Sequence, residues 1–202
     1  MKTKTNTREK ILETMYRLVA EEGYHKASIG NICKEIGITK PAVYHYFKSK
    51  EEIFLELIKT IYVINEEAIL KKIEEAEEID TYKEMMRNFG IRGISKEPPF
   101  PATTFIDYRK VCSEIDLQSQ RNEKIEEYHH EINEQIFNLL RKMLRQGIKV
   151  GLFKKDMDIE KNANTMFIMM VGIGNVALYG TKMDLDAIWR LNIDRMIRED
   201  KI

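Results

Sequence analysis

The chain has 202 residues, with 33 Lys+Arg against 33 Asp+Glu, 43% hydrophobic and 33% charged. That balance describes a globular polypeptide of one or two domains and excludes collagen, a disordered tail and a disulfide scaffold. The two cysteines, Cys33 and Cys112, match no CxxC or Cys/His metal spacing, so neither a thiolate metal site nor a redox pair is expected, and a reducing cytoplasm fits best.

The charge is unevenly placed: residues 1–50 sum to +5 and residues 51–202 to −5. Such a split points to a head that binds a polyanion on a body that does not, or more plainly to a few solvated lysines. Met1 to Lys10 is polar and charged, which predicts no secretory signal. The 20 uncharged residues between Lys161 and Lys182 are broken by Asn162, Asn164, Thr165 and Asn175. A buried core helix is expected there rather than a membrane span.

Apolar spacing is helical nearly throughout, with only four prolines (Pro41, Pro98, Pro99 and Pro101), and predicts an all-α fold of about nine helices. The first runs from about Thr7 to Glu22, buries Ile11, Met15, Leu18 and Val19, and stops at Gly23. Two short helices follow, Ser28 to Ile36 and Thr39 to Phe47, each opened by a capping hydroxyl and joined across Gly37. This is the helix-turn-helix pattern, or a plain helical hairpin. Ile29, Ile32, Ile36, Ile38, Val43 and Phe47 supply its core, leaving Lys40, Ala42, Tyr44 and His45 on the outside. An outward polar face suits DNA, because a helix in the major groove must present donors to base edges while neighbours grip phosphates.

A long helix is then expected from Lys50 to around Ala76, striped by Phe54, Leu57, Ile58, Ile61 and Ile64, and a shorter one from Asp80 to about Ile91. Gly90, Gly93 and Pro98 to Pro101 mark a break. Helices follow over Ala102 to Ser119, Asn122 to Val150, Asp158 to Tyr179 and Asp184 to Arg198. The second of these carries the stripe Ile125, Tyr128, Ile132, Ile136, Leu139 and Met143.

Several of these residues resemble the TetR family of bacterial transcriptional regulators: Thr7 to Leu12, Gly23-Tyr24, Ser28-Ile29 with Ile32, Gly37-Ile38, and above all Thr39-Lys-Pro-Ala-Val-Tyr-His-Tyr-Phe-Lys-Ser-Lys-Glu-Glu-Ile53. The likeness covers residues 5–66, with the helix-turn-helix at about 28–47. More loosely, Gln146 to Phe153 and the helix after it look like the family's ligand-binding and dimerisation region, here residues 67–202. The resemblance implies a three-helix DNA-binding domain followed by a larger helical domain. It implies a homodimer on a near-palindromic double-stranded operator, most often a repressor released by a small molecule. By matching position it makes Thr39, Lys40, Pro41, Ala42, Tyr44 and His45 recognition-helix contacts and Lys50 a phosphate contact, with Ser28 near the DNA backbone. Lys40 and His45 are the candidates for reading base edges, while Tyr44, Lys48 and Lys50 position the protein. Gly30 stands where many members carry a longer polar side chain, and Ala42 can offer only an apolar contact, such as to a thymine methyl.

Recognition helices of such a dimer lie about one DNA turn, roughly 34 to 36 Å, or a multiple of it apart. The last two helices are expected to form the dimer interface, through Met166, Met169, Met170 and Ile173 and through Trp189, Ile193, Met196 and Ile197, or to be ordinary core. Phe89, Phe105, Tyr108, Phe137, Met143, Met166 and Met170 are candidates to line an apolar effector pocket, or again plain core. Glu126, His130 and Glu134 share a helical face beside His129; an exposed ion-paired face is expected there rather than a metal site. No catalytic triad, phosphate loop or paired-carboxylate motif is present, so no enzyme and no cofactor are expected. The alternatives kept are a DNA-binding or protein-partner factor without a ligand, and a helical enzyme with an apolar site.

Overall fold

The structure, a computed structural model, describes residues 6–62, 66–94, 100, 103–180 and 182–199. Among the described residues there are ten α-helices, one short 3-10 helix and no strand. In chain order they are α1 (Thr7–Glu22), α2 (Ile29–Ile36), α3 (Lys40–Tyr44), α4 (Lys50–Ile61), α5 (Glu66–Glu75), α6 (Ile79–Ile94), α7 (Phe105–Ser119), α8 (Glu123–Lys149), α9 (Ile159–Val176), the 3-10 turn Ala177–Tyr179, and α10 (Leu185–Glu199).

The expected single helix from Lys50 to Ala76 is two, α4 and α5, which raises the number from nine to ten. Tyr62 ends α4 at φ −97° and ψ 29°, outside helical geometry. The run Ile61-Tyr-Val-Ile64 is β-branched and aromatic, and such residues lose side-chain freedom in a helix. Gly90 and Gly93, read as a break, lie inside α6. Ile64, Pro98, Pro99 and Pro101 fall outside the described residues. No described helix is long and apolar enough to cross a membrane.

The chain divides into two compact units, Met1–Val63 with Pro98–His129 and Ile64–Glu97 with His130–Ile202. The sequence places a boundary at 66/67 and α7 beyond it; in the structure α7 packs on α1 and belongs to the first unit. That packing follows from α1 itself, which buries Ile11, Leu12, Met15, Tyr16, Leu18, Val19 and Ala20. These positions are more than a single stripe can hold, so α1 is covered by α2 and α4 as well as by α7. Thr104 opens α7 with a reciprocal capping box, its hydroxyl accepting from the Asp107 amide and the Asp107 carboxylate accepting from the Thr104 amide. Hydrogen bonds from Thr104 hold the Asp107 carboxyl below its ordinary range.

In the second unit α10 packs on α6. The indole of Trp189 donates to the Met86 carbonyl at 3.0 Å, and Arg190 donates to Asn88 at 2.8 Å. Trp189, Ile193, Ile197 and Ile173 are buried within this one chain. These four fit the ordinary-core alternative, while Met169 and Met196 are half-buried. Exposed apolar side chains include Ile168 and Val171 of α9 and Ile188 and Leu191 of α10, with Tyr179 and Met183 in the chain between the two helices. Periodicity finds the apolar residues on such helices but cannot say which of two apolar stripes meets the chain's own core.

Tyr82 of α6 donates its hydroxyl to the Met143 carbonyl of α8 at 2.5 Å. Its ring and that of Phe153 close over Gly147, where an added Cβ would lie 2.5 Å from the Phe153 ring. Gly→Ala in a helix ordinarily stabilises by up to about 1 kcal/mol. Here the buried Phe153 ring must move, so Gly147→Ala is expected to destabilise the protein by about 1 to 3 kcal/mol. Urea unfolding checks the sign, and a midpoint above that of the wild type contradicts the packing described.

Candidate nucleic-acid interface

The interface is built from three short pieces of backbone, each fixed by a local device. Ser28 caps α2, its hydroxyl accepting from the Asn31 amide at 3.1 Å. Gly37 ends α2 in the left-handed region at φ +70°, and its amide bonds back to the Cys33 carbonyl at 3.0 Å. Thr39, expected to cap α3 in the same way as Ser28, makes no side-chain capping bond; Pro41 sits in that first turn, where a missing amide N–H costs little. Ser49 caps α4 by accepting from the Glu52 amide at 3.1 Å, and the Glu52 carboxylate accepts from the Lys48 amide at 2.5 Å.

These devices give α3 one buried and one open side. Val43 and Phe47, four positions apart, are buried with Ile32, while Ile29, Ile36 and Ile38 are half-buried at the edge. Thr39, Lys40, Pro41, Tyr44, His45, Tyr46 and Lys48 are exposed, Tyr44 by 52%, and Ala42 is half-buried. The His45 and Tyr46 rings meet edge to face at 5.1 Å. The arrangement offers ammonium, imidazole and phenol donors from one exposed stretch of chain, the chemistry that base edges and phosphates require.

Behind that surface α1 is pinned to its neighbours by ion pairs. Arg8 bonds to Glu56 of α4 at 2.5 Å and lies 5.2 Å over the Phe47 ring; Lys59 bonds to the same carboxylate at 2.8 Å. Hydrogen bonds from Lys59 and then from Arg8 hold the Glu56 carboxyl below its ordinary range. Arg17 pairs with Glu35 of α2.

Lys50 differs from the sequence expectation. Its ammonium is half-buried and donates to the Tyr24 carbonyl at 2.5 Å and the His25 carbonyl at 3.2 Å, 4.0 Å over the Tyr24 ring. Burial lowers its pKa from the ordinary lysine value, and the Glu114 carboxylate works against that shift. Two of its three donors are therefore committed within the head, while Lys40 and Lys48 are exposed. Arg8, Glu52, Glu56 and Glu114 were not singled out by sequence reasoning. Only Glu52 carried a local signal, the Ser49-x-x-Glu52 spacing of a capping box.

The candidate pocket residues do not form one group by ring contact. Phe105 stacks on Tyr108 at 6.2 Å in the first unit, whereas Phe137 stacks on Phe167 at 4.3 Å and Phe89 lies 6.5 Å from Trp189 in the second. Met143 and Met166 are fully buried, and Met170 is half-buried. Glu126, His130 and Glu134 are all exposed, and the neighbouring His129 lies 3.2 Å from Asp116. Among the described residues no cluster of three metal-ligating side chains occurs.

A capped helix, a glycine turn and a second helix with an open polar face define a helix-turn-helix DNA-binding protein. The family described as "Bacterial regulatory proteins, tetR family" matches residues 11–57. The fatty acid metabolism regulator protein of Bacillus subtilis is 27% identical over 167 residues, covering 83% of this chain and 81% of its own length. The HTH-type transcriptional regulator YxaF of the same organism is 30% identical over 172 residues, covering 77% and 90%. Among solved structures, the transcriptional regulator FadR from Bacillus subtilis in complex with stearoyl-CoA superposes with a TM-score of 0.70 at 21% identity, covering 93% of this chain and 96% of that one. The chain belongs to the TetR family of bacterial transcriptional regulators, DNA-binding proteins rather than enzymes.

Two substitutions separate the roles on the open face. Lys48→Ala is expected to weaken binding to all duplexes alike and to lower the salt slope of log K by about one. His45→Ala is expected to relax base preference at one position at a cost of about 1 to 3 kcal/mol. Binding isotherms at several stated salt concentrations check both, and an unchanged base preference for His45→Ala removes it from base reading.

Proposed function

We propose that the chain acts in the cytoplasm as a homodimeric repressor, released from a near-palindromic operator by a small ligand with an apolar acyl chain. The observation that carries the DNA-reading part is the open face of α3, where Lys40, Tyr44 and His45 stand clear of a core made by Val43 and Phe47. Thr39, Pro41, Ala42 and Lys48 complete the contact surface, and Ser28 flanks it.

The homodimer reading is supported by the exposed apolar side chains of α9 and α10. Ile168 is 68% exposed, Tyr179 76%, Met183 56% and Leu191 50%, with Val171 and Ile188 alongside. Apolar exposure of this extent costs free energy in water, and a two-fold partner covers it with the same surface. The ligand class is supported by likeness along most of the chain to a fatty acid metabolism regulator and to a regulator crystallised with stearoyl-CoA. Release needs only that the ligand prefer one dimer shape, a coupling of typically about 1 to 3 kcal/mol.

Selection of duplexes from a random pool at a fixed salt concentration, followed by titration with stearoyl-CoA, tests the reading. A near-palindromic consensus with half-sites about one helical turn apart, and affinity that falls about tenfold or more with ligand, is expected. A consensus insensitive to acyl-CoA leaves a regulator without this ligand, and the absence of a consensus contradicts operator reading. The double variant Ile168→Glu/Leu191→Glu is expected to run as a folded monomer by light scattering and to lose the two-half-site preference; an unchanged dimer contradicts the assigned face.

A further inference from the structure

We infer that Glu114 of α7 is a positioning residue for DNA reading: it holds the turn at residues 23–25 on which Lys50 fixes the start of α4, and through it the recognition helix α3. The inference rests on α3 being the helix that enters DNA.

Gly23 ends α1 at φ +83°, so the chain turns there in a conformation that favours glycine. The missing side chain also makes room: a Cβ on Gly23 would lie 3.2 Å from Oε1 of Glu114. The other carboxylate oxygen accepts from the Tyr24 amide at 3.3 Å. The next peptide groups face the opposite way, and the Tyr24 and His25 carbonyls accept from the Lys50 ammonium. The Tyr24–His25 backbone is thus held by a carboxylate from α7 at the Tyr24 N–H and by an ammonium from α4 at the two carbonyls. The charges act in concert, because the Glu114 carboxylate favours a charged Lys50. Tyr24 adds a ring packed 4.5 Å from Phe54 of α4, and Arg121, just beyond α7, reaches the His25 ring at 3.3 Å.

Lys50 is the first residue of α4, and Ser49 and Glu52 beside it tie α4 to the end of the recognition segment at Lys48. Just past the other end of α4, burial pushes the Tyr62 hydroxyl well above the ordinary tyrosine range, with Cys112 of α7 adding to the shift. Helix α7 therefore reaches the N-terminus of α4 through the turn.

Hydrogen exchange of the full chain without DNA, read by mass spectrometry on wild type, Glu114→Ala and Glu114→Gln, tests this. Glu114→Ala is expected to speed exchange about 5- to 30-fold both at residues 24–26 and at residues 39–47, leaving the second unit unchanged. Glu114→Gln keeps an acceptor for the Tyr24 amide but loses the charge facing Lys50, and an intermediate effect is expected. Exchange at 39–47 that stays at the wild-type rate in both variants, or acceleration spread evenly over the chain, overturns the inference. On a selected duplex, Glu114→Ala is expected to weaken binding without changing the salt slope, since no phosphate contact is removed. The exchange experiment needs no operator, so failure of duplex selection sinks the repressor reading while the exchange result still decides the role of Glu114.

Discussion

The first unit depends on α1 being apolar on more sides than one partner can cover. Ile11, Met15, Leu18 and Val19 are each at most 2% exposed, and burying side chains of this kind contributes about 1.5 to 3 kcal/mol apiece. A helix of five residues such as α3 is far below the length at which an isolated helix is stable in water. It exists because Val43 and Phe47 are seated on a core that α1 organises and because caps on either side fix its ends. The same excess of apolar surface on α1 recruits α7, so the DNA-reading head of this family member includes a helix that lies some forty residues beyond α4 in the chain.

Charge refines what the core establishes. The pairs Arg8 with Glu56 and Arg17 with Glu35 join α1 to α4 and α2 at partly exposed sites, where such pairs are worth little in stability. The lysines divide by environment: Lys40 and Lys48 stand in solvent and are available to a polyanion, while Lys50 is withdrawn onto two carbonyls. The +5 balance of residues 1–50 thus overstates the charge that can meet DNA.

Features with a local cause were readable from the sequence. The span of α1, the Ser28 cap, the Gly37 turn and the exposure of Lys40, Tyr44 and His45 follow from spacing and capping chemistry within a few residues. Features decided by a distant partner were not. Lys50 reads as a surface cation because its acceptors are carbonyls about twenty-five residues earlier, and carbonyls carry no sequence signal. Glu114 is one acidic residue among many until Gly23 and the Tyr24 amide are placed against it. Trp189 and Ile193 look the same to a periodicity argument whether they face α6 or a second subunit; the Met86 carbonyl that accepts from the indole decides it.

In the proposed function the head built on α1 presents α3 outward, and a second copy sets the distance to its twin. Hydroxyl-radical footprinting of the full-length protein on a selected duplex measures this directly. Protection in two patches on one face of the DNA, about one helical turn apart and related by the two-fold axis of the site, is the predicted result. A single protected patch, or uniform protection along the duplex that vanishes with added salt, contradicts it.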